Sequence, residues 1–513
     1  MKKELPPGRT TRALSGLFTG IIQYGLIMLL QFILIPVVLR YAGKEVLGAY
    51  SFLIQMIAWG ALTDLGFSVA TGRKLAQTNG LLDRTRFKEV FETGRTFSVI
   101  SNIFLSALIL MVSWKISAFI HLEPIIEKQA KQSLLFLACW VAIKGTISLY
   151  GDALNATQHL ADVNIIQSVV GAVRILLSIV FVIFGWALVG LMIANILAEI
   201  MGFGAQRQRY RNLYSKDIFR WGIKNKKLFN EMLKFGFTYM ILIIGGKLFN
   251  STDGIVIGVV LGANAISVNY VTQMPGAAAY QLLWRISDNS YPAINEIYAK
   301  KNTMLLTESY ISINKISIML AICLSVGLLC LNRSAIYLWA GKDQYAGALF
   351  TIAVAGLSIT QVIVHVCGLY LLAVGRIKLI ALWGIISGVI KVAISIILVR
   401  KIGISGGIIS SFLIDIVSLC IYCIKANRSL FVPASIFLRS VVFPSLKSNM
   451  IPCIILIITI NIMPISTWIN FIIIVCIYLL SFCVSAWIFG ISKNERGRIV
   501  SIINSIRGYG RVN

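Results

Sequence analysis

The stretch Ile244-Gly-Gly-Lys-Leu-Phe-Asn-Ser-Thr-Asp-Gly-Ile-Val-Ile-Gly258 sets a lysine and an aspartate, Lys247 and Asp253, inside the largely apolar run 232–260. A run of that length crosses a hydrocarbon core of ~30 Å as a helix, in which the backbone polar groups find partners within the segment. A charge at the centre of such a span costs roughly 2.5–3.5 kcal/mol on insertion scales, so it is kept only where it faces protein or water. Along a regular helix Lys247, Asn250, Ser251 and Gly254 share one face. Asp253 is turned about 120° away from them. On that geometry Lys247 and Asp253 do not pair directly, and Asp253 is expected to reach a partner on another helix. Gly245, Gly246, Gly254 and Gly258 thin the span and allow a bend or the close approach of a neighbour.

The rest of the chain repeats the pattern. Of 513 residues, 58% are hydrophobic and 13% charged, far above the roughly half-apolar composition of soluble domains. Apolar stretches long enough to span recur at 15–39, 46–71, 93–119, 132–155, 162–185, 187–206, 232–260, 264–290, 309–332, 346–373, 377–399, 404–424, 450–469 and 471–490. The expected fold is an all-α polytopic membrane protein of about 14 transmembrane helices. The formal charge of +27 reads as topology rather than nucleic-acid binding. With the amino terminus in the cytoplasm, roughly 30 of the basic residues fall on the cytoplasmic side and about 9 outside. That asymmetry puts both termini in the cytoplasm. Its largest contribution is RQRYRNLYSKDIFRWGIKNKK (207–227), with eight basic residues and one acid, an anchor that touches anionic lipid heads. Met1 to Arg12 resembles a signal-peptide n-region, but the apolar run that follows is too long and lacks a small-residue cleavage site, so it reads as an uncleaved first span.

Several function classes drop out. His121, His159 and His365 are scattered without metal-ligand spacing, and Cys420 and Cys423 form a C-x-x-C inside a span, where a small core residue is the simpler reading. No phosphate-binding, nucleophile-elbow or zinc-protease motif is present. Catalysis, cofactors and metals are therefore not expected. The basic loop divides the chain into an N-terminal lobe (1–206, spans one to six), a basic cytoplasmic loop (207–231), a C-terminal lobe (232–424, spans seven to twelve) and a tail (425–513) with spans thirteen and fourteen and a basic cytoplasmic end. The two six-helix lobes open alike: Pro36 to Tyr50 and Val259 to Tyr270 each run from V-V-L through a tight Gly/Ala turn to a tyrosine. Repeats of this kind commonly hold substrate between them in transporters.

Polar residues mark the faces that avoid lipid. Span four carries Lys144, Ser148, Asp152 and Asn155 at helical spacing, and span five carries Asn164, Gln167, Gly171, Arg174 and Ser178 as an uninterrupted stripe. Span eight carries Gln273, Gln281, Trp284, Arg285 and Asp288, with Arg285 and Asp288 placed to pair at i, i+3. Lys391, Asp415, Glu199 and Asp64 are further charges within spans. Charges on several helices of one bundle demand pairing or water, and the stripes favour a hydrated central cavity for a polar or charged substrate over interhelical pairing alone.

At Ile35-Pro36, Leu39-Arg40-Tyr41-Ala42-Gly43, Glu45, Gly48 and Tyr50, followed by Asp64-Leu65-Gly66-Phe67 and Arg73, the sequence resembles the start of Wzx-type polysaccharide exporters of the multidrug, oligosaccharidyl-lipid and polysaccharide superfamily. Asp253, Ile257-Gly258, Gly262 and Tyr270 resemble the matching segment of the second half. The resemblance implies a flippase that moves an undecaprenyl-diphosphate-linked oligosaccharide, such as an O-antigen repeat of lipopolysaccharide, to the outer leaflet of a bacterial inner membrane by alternating access. It implies a polysaccharide polymerase and a chain-length regulator as partners, together with membrane lipids. Lys144, Arg174, Lys247, Arg285 and Lys391 are the candidates for the diphosphate. Asn164, Gln167, Asn250, Gln273 and Gln281 are candidates for sugar contacts. Asp64, Asp253, Asp288, Asp415 and Glu199 are candidates to balance charge or to carry a coupling proton or sodium ion. A drug/cation antiporter would want an acidic cavity, and a glycosyltransferase or polymerase a large outer loop, so both are alternatives that fit less well. Spans thirteen and fourteen exceed the twelve of many such exporters.

Overall fold

Helix is dictated wherever an apolar run must bury its own amides and carbonyls in lipid, and among the described residues no strand occurs. The computed structural model describes residues 9–214, 221–223, 225–492 and 495–497. The beginning of the expected first-span leader, part of the basic loop and most of the basic tail lie outside them. The helices up to the basic loop are α1 (Arg9–Tyr41), α2 (Lys44–Trp59), α3 (Phe67–Gly80), α4 (Arg84–Trp114), α5 (Ile116–Phe119), α6 (Pro124–Lys144), α7 (Leu149–Ala156), α8 (Leu160–Ile183) and α9 (Ala187–Leu213). After it come α10 (Lys226–Asn250), α11 (Asp253–Leu261), α12 (Ala263–Ala299), α13 (Thr303–Trp339), α14 (Ala348–Ala373), α15 (Ile377–Ile402) and α16 (Ser405–Ser429). The chain continues with α17 (Ala434–Phe437), α18 (Phe443–Ile462) and α19 (Trp468–Ser485).

Among the described residues twelve helices are long and apolar enough to cross a membrane, and the bent pair α6 and α7 makes thirteen if counted as one span. With α12, whose polar residues and internal Pro275 and Pro292 interrupt its hydropathy, each stretch read from the sequence corresponds to a helix or a helix pair. The protein is a multi-pass, all-α membrane protein. Span thirteen sits earlier than 450–469: its helix ends at Ile462. Pro464 lacks the amide that continuation requires, and the Thr467 side chain accepts from the Asn470 amide to start α19.

Three spans are interrupted well within the stretch read, besides the break at Lys115 near the end of span three. Span two breaks between α2 and α3, span four bends by 49° between α6 and α7, and span seven breaks between α10 and α11. The single face expected for Lys144, Ser148, Asp152 and Asn155 is therefore divided at residues 145–148. A Cβ on Gly145 would stand 2.7 Å from the Ser98 carbonyl oxygen, so the bend is where two backbones touch.

The chain forms two units. The first runs to Tyr270 and takes in Ala381–Gly407, which is most of α15. Within it spans two and seven lie antiparallel, meeting at Gly48 with Ala263, at Gly66 with Gly236 and at the ion pair of Lys74 with Glu231, 3.1 Å. An aromatic core of Phe67, Phe91, Tyr150 and Tyr210, with Phe97 and Phe229 against it, ties α3, α4, α7, α9 and α10 together. The second unit comprises Val271–Ile380 and the chain from Ile408 onward. There α18 and α19 pack on α13 through Met319, Cys323, Leu456 and Tyr478, whose hydroxyl donates to the Cys323 carbonyl at 2.7 Å.

Candidate functional site

The polar stripe of α8 turns inward, as its burden of Asn, Gln and Arg requires. Asn164 donates to the Thr19 hydroxyl of α1 at 3.2 Å, and Gly171 lets Ile27 of α1 approach. Further along the same helix Arg174 and Ser178 line a cavity of about 170 Å³ within the first unit. Its other polar walls are Gln31 of α1, Tyr50, Ser51 and Gln55 of α2, Asn195 of α9 and Tyr270 of α12. Asn195 donates to the Tyr50 hydroxyl at 2.7 Å, which fixes both side chains. Arg174 is the only charged residue in the lining among the described residues. A guanidinium among amides, hydroxyls and two aromatic rings suits an anionic group attached to a polar, ring-stacking one.

The second feature is the break in span seven. The Asn-Ser-Thr-Asp sequence offers the backbone side-chain partners in place of helical ones, and α10 stops at Asn250 while α11 starts at Asp253. The backbone groups freed by the break must be satisfied, since lipid supplies no partner. The Thr252 hydroxyl donates to the Leu248 carbonyl at 2.7 Å and the Asn250 amide to the Gly246 carbonyl at 3.0 Å. From α2, Trp59 Nε1 donates to the Ser251 carbonyl at 3.2 Å, and Gln55 Oε1 accepts from the Gly254 amide at 3.1 Å. From α15, Lys391 Nζ donates to the Phe249 carbonyl and to the Thr252 hydroxyl, and pairs with Asp253 Oδ1 at 2.7 Å. Lys391 is fully buried. It reaches this position because α15 lies against α10 on glycine: a Cβ on Gly245 would stand 2.7 Å from the Gly384 carbonyl carbon, and one on Gly388 would stand 2.5 Å from Leu248 Cβ. The helical-wheel offset of Lys247 from Asp253 therefore does not describe their relation, because the helix is interrupted between them. Asp253 reaches a partner on another helix, Lys391, as the wheel demanded.

The remaining sequence candidates divide by unit. In the first, Lys144 lies 3.9 Å from Glu199, whose carboxylate accepts from Trp140 Nε1 at 2.7 Å. Asp64 caps α3, accepting from the amides of Gly66 at 2.8 Å and Ser68 at 3.3 Å. Lys247 and Gln167 are half-buried and Asn250 is exposed. In the second unit Asp288 pairs with His365 Nε2 at 2.8 Å. Trp284 stacks on the His365 ring at 4.5 Å and donates to the Gln361 carbonyl, and the Gln361 side chain donates to the buried Asp415 at 3.0 Å. Gln273 and Gln281 are half-buried and Arg285 is exposed. Sequence reading missed Gln55, Trp59, Gln361 and His365. For His365 a signal existed, since an ionisable residue in the middle of an apolar span is a site candidate in its own right. Metal spacing was the wrong test for it.

The described residues thus form a multi-pass helical membrane fold with broken spans, intramembrane ion pairs and a cavity that holds a guanidinium. The profile of the polysaccharide biosynthesis protein family matches residues 13–297, more than half of the chain, and the protein belongs to that family. Among solved structures, the lipid II flippase MurJ in an inward closed conformation is similar at 15% identity with a TM-score of 0.68, over 94% of this chain and 98% of that one. An inward-facing multidrug resistance MATE family transporter of the MOP superfamily is similar at 13% identity and a TM-score of 0.60, over 82% and 99%. A MOP superfamily transporter from Pyrococcus furiosus, described as having a binding pocket of reverse polarity, is similar at 14% identity and a TM-score of 0.58, over 81% and 96%. These likenesses establish the fold. No curated protein matches the sequence.

Proposed function

We propose that this protein is a flippase that carries an undecaprenyl-diphosphate-linked oligosaccharide, an O-antigen or other surface polysaccharide repeat unit, from the cytoplasmic to the outer leaflet of a bacterial inner membrane by alternating access. Both termini lie in the cytoplasm in this reading. Supply of the lipid-linked unit from the cytoplasmic side and its use by a polymerase with a chain-length regulator complete the pathway. The observation that carries it is the α8 cavity, lined among the described residues by a single guanidinium, no acid, and a wall of amides, hydroxyls and aromatic rings. Arg174 would hold the diphosphate and Tyr50, Asn195 and Tyr270 the adjoining sugars, while the polyprenyl tail stays in lipid. Membership of a polysaccharide biosynthesis family points to the same substrate class.

The cavity disfavours a drug/cation antiporter, because a cationic substrate would meet Arg174 and no counter-charge. Lys144, Lys247, Arg285, Gln167 and the other sequence candidates, apart from Lys391 and Asp253, which answer each other in the span-seven break, are assigned to the path as part of the same proposal. The test is replacement of Arg174 and of Lys247 by alanine at matched expression, in cells that lack their own exporter. Outer-leaflet appearance of lipid-linked oligosaccharide is expected to fall at least roughly tenfold for Arg174→Ala, the loss of one charge-assisted contact, and less for Lys247→Ala. Undiminished translocation by both variants would remove the assignment.

A further inference from the structure

The Lys391 ammonium sits in a shell made of oxygen acceptors. One is the Phe249 carbonyl, freed because α10 ends one residue later. The second is the Thr252 hydroxyl, 3.3 Å away, whose own proton goes to the Leu248 carbonyl, so that a lone pair faces the ammonium. The third is Asp253 Oδ1 at 2.7 Å. A carbonyl at the negative end of a half-helix, a hydroxyl and a carboxylate are hard ligands of the kind that hold alkali cations at the breaks of transport helices. The Phe249 ring, its centroid 5.3 Å from Nζ, adds a further attraction for positive charge. An ion pair alone would need only the carboxylate. Here a point charge lies against three oxygens of the broken segment.

We infer that Lys391 is a tethered cation filling a monovalent-metal site, and that removing its side chain turns the break of span seven into a binding site for Na⁺ or K⁺. The fully buried Lys391 side chain comes from α15, so its deletion leaves the space that its methylenes and ammonium occupied. Asp253 then loses the ammonium 2.7 Å from its Oδ1, and removing the charge that answers a buried carboxylate is strongly disfavoured. The unaltered protein takes no soluble cation at this point, and its span-seven break is held in the same way whatever the ionic composition. The inference concerns the break alone and does not rest on the identity of the transported substrate.

The experiment compares the full-length protein with Lys391→Ala and with Lys391→Ala/Asp253→Asn, purified in detergent. Thermal unfolding is followed in chloride salts of Na⁺, K⁺ and N-methyl-D-glucamine at equal ionic strength, which separates binding from screening. Lys391→Ala is expected to gain roughly 2–4 °C in midpoint with saturating Na⁺ or K⁺ relative to the organic cation. The unaltered protein and the double variant are expected to show no such difference, and ²²Na⁺ is expected to bind the single variant only. A folded Lys391→Ala that is indifferent to the cation, or that answers to pH instead because Asp253 takes up a proton, overturns the inference. So does a single variant that fails to fold in Na⁺ while the double variant folds, because the emptied shell would then have no affinity for the ion.

Discussion

Spans two and seven are both broken helices that lie side by side, and they satisfy their breaks in opposite ways. The break of span two closes on itself: Thr63 donates to the Gly60 carbonyl, Asp64 accepts from the amides of Gly66 and Ser68, and Gly66 takes the left-handed conformation at φ 71°. Every partner lies within four residues. The break of span seven draws Gln55 and Trp59 from α2 and Lys391 from α15, between 139 and 199 residues away. A locally capped break is a fixed corner. One whose carbonyls and carboxylate are held by other helices can be released by moving those helices, which is the property a transport element needs.

The comparison is tested most severely at the buried pair. Asp253→Asn leaves the Lys391 ammonium without a counter-charge and is expected to cost about 3–5 kcal/mol, against a much smaller loss for Lys391→Met/Asp253→Asn, in which both charges are gone. Thermal unfolding of the purified variants reads both. Equal losses would mean that the pair contributes packing rather than charge compensation.

A smaller effect is expected at Gly66, where a Cβ would meet the Gly236 carbonyl at 2.3 Å in a conformation that disfavours side chains. Gly66→Ala is expected to cost about 1–3 kcal/mol through backbone crowding. Its midpoint should be compared with that of Gly72→Ala, which lies on the same helix and meets nothing within 4 Å. The smallest is Asp64→Ala, loss of a local cap, at about 0.5–2 kcal/mol. If Asp64→Ala abolished translocation while leaving stability nearly intact, the span-two break would be functional as well as structural, and the contrast with span seven would narrow.

Much of this was legible in residue order. Apolar run length placed each span on a helix or helix pair, but α4, α6 and α12 run eight or nine residues past the stretches read, and in span thirteen Pro464 was read as part of a helix that stops before it. The α8 stripe, with Arg174 at its centre, was readable because helical spacing is local and an uninterrupted polar face has one consistent meaning. The α10–α11 break was half legible: the glycines and charges were visible, but the run was treated as regular, which spread Lys247 and Asp253 around a wheel that does not persist through Asn250. The Asn-Ser-Thr-Asp sequence was the available sign of interruption. The contact of Asp288 with His365 was not legible for the same reason in reverse. A neighbour at i+3 is always available in sequence, whereas His365 lies 77 residues away.

The sequence by itself determined a polytopic helical membrane protein with charges that cannot face lipid, because hydrocarbon thickness and the cost of unpaired backbone groups act on each segment separately. Only the tertiary structure decided which charge answers which. Pairing depends on the approach of distant helices, and the contact of Gly245 with Gly384, made possible by two missing side chains, is what carries Lys391 to Asp253.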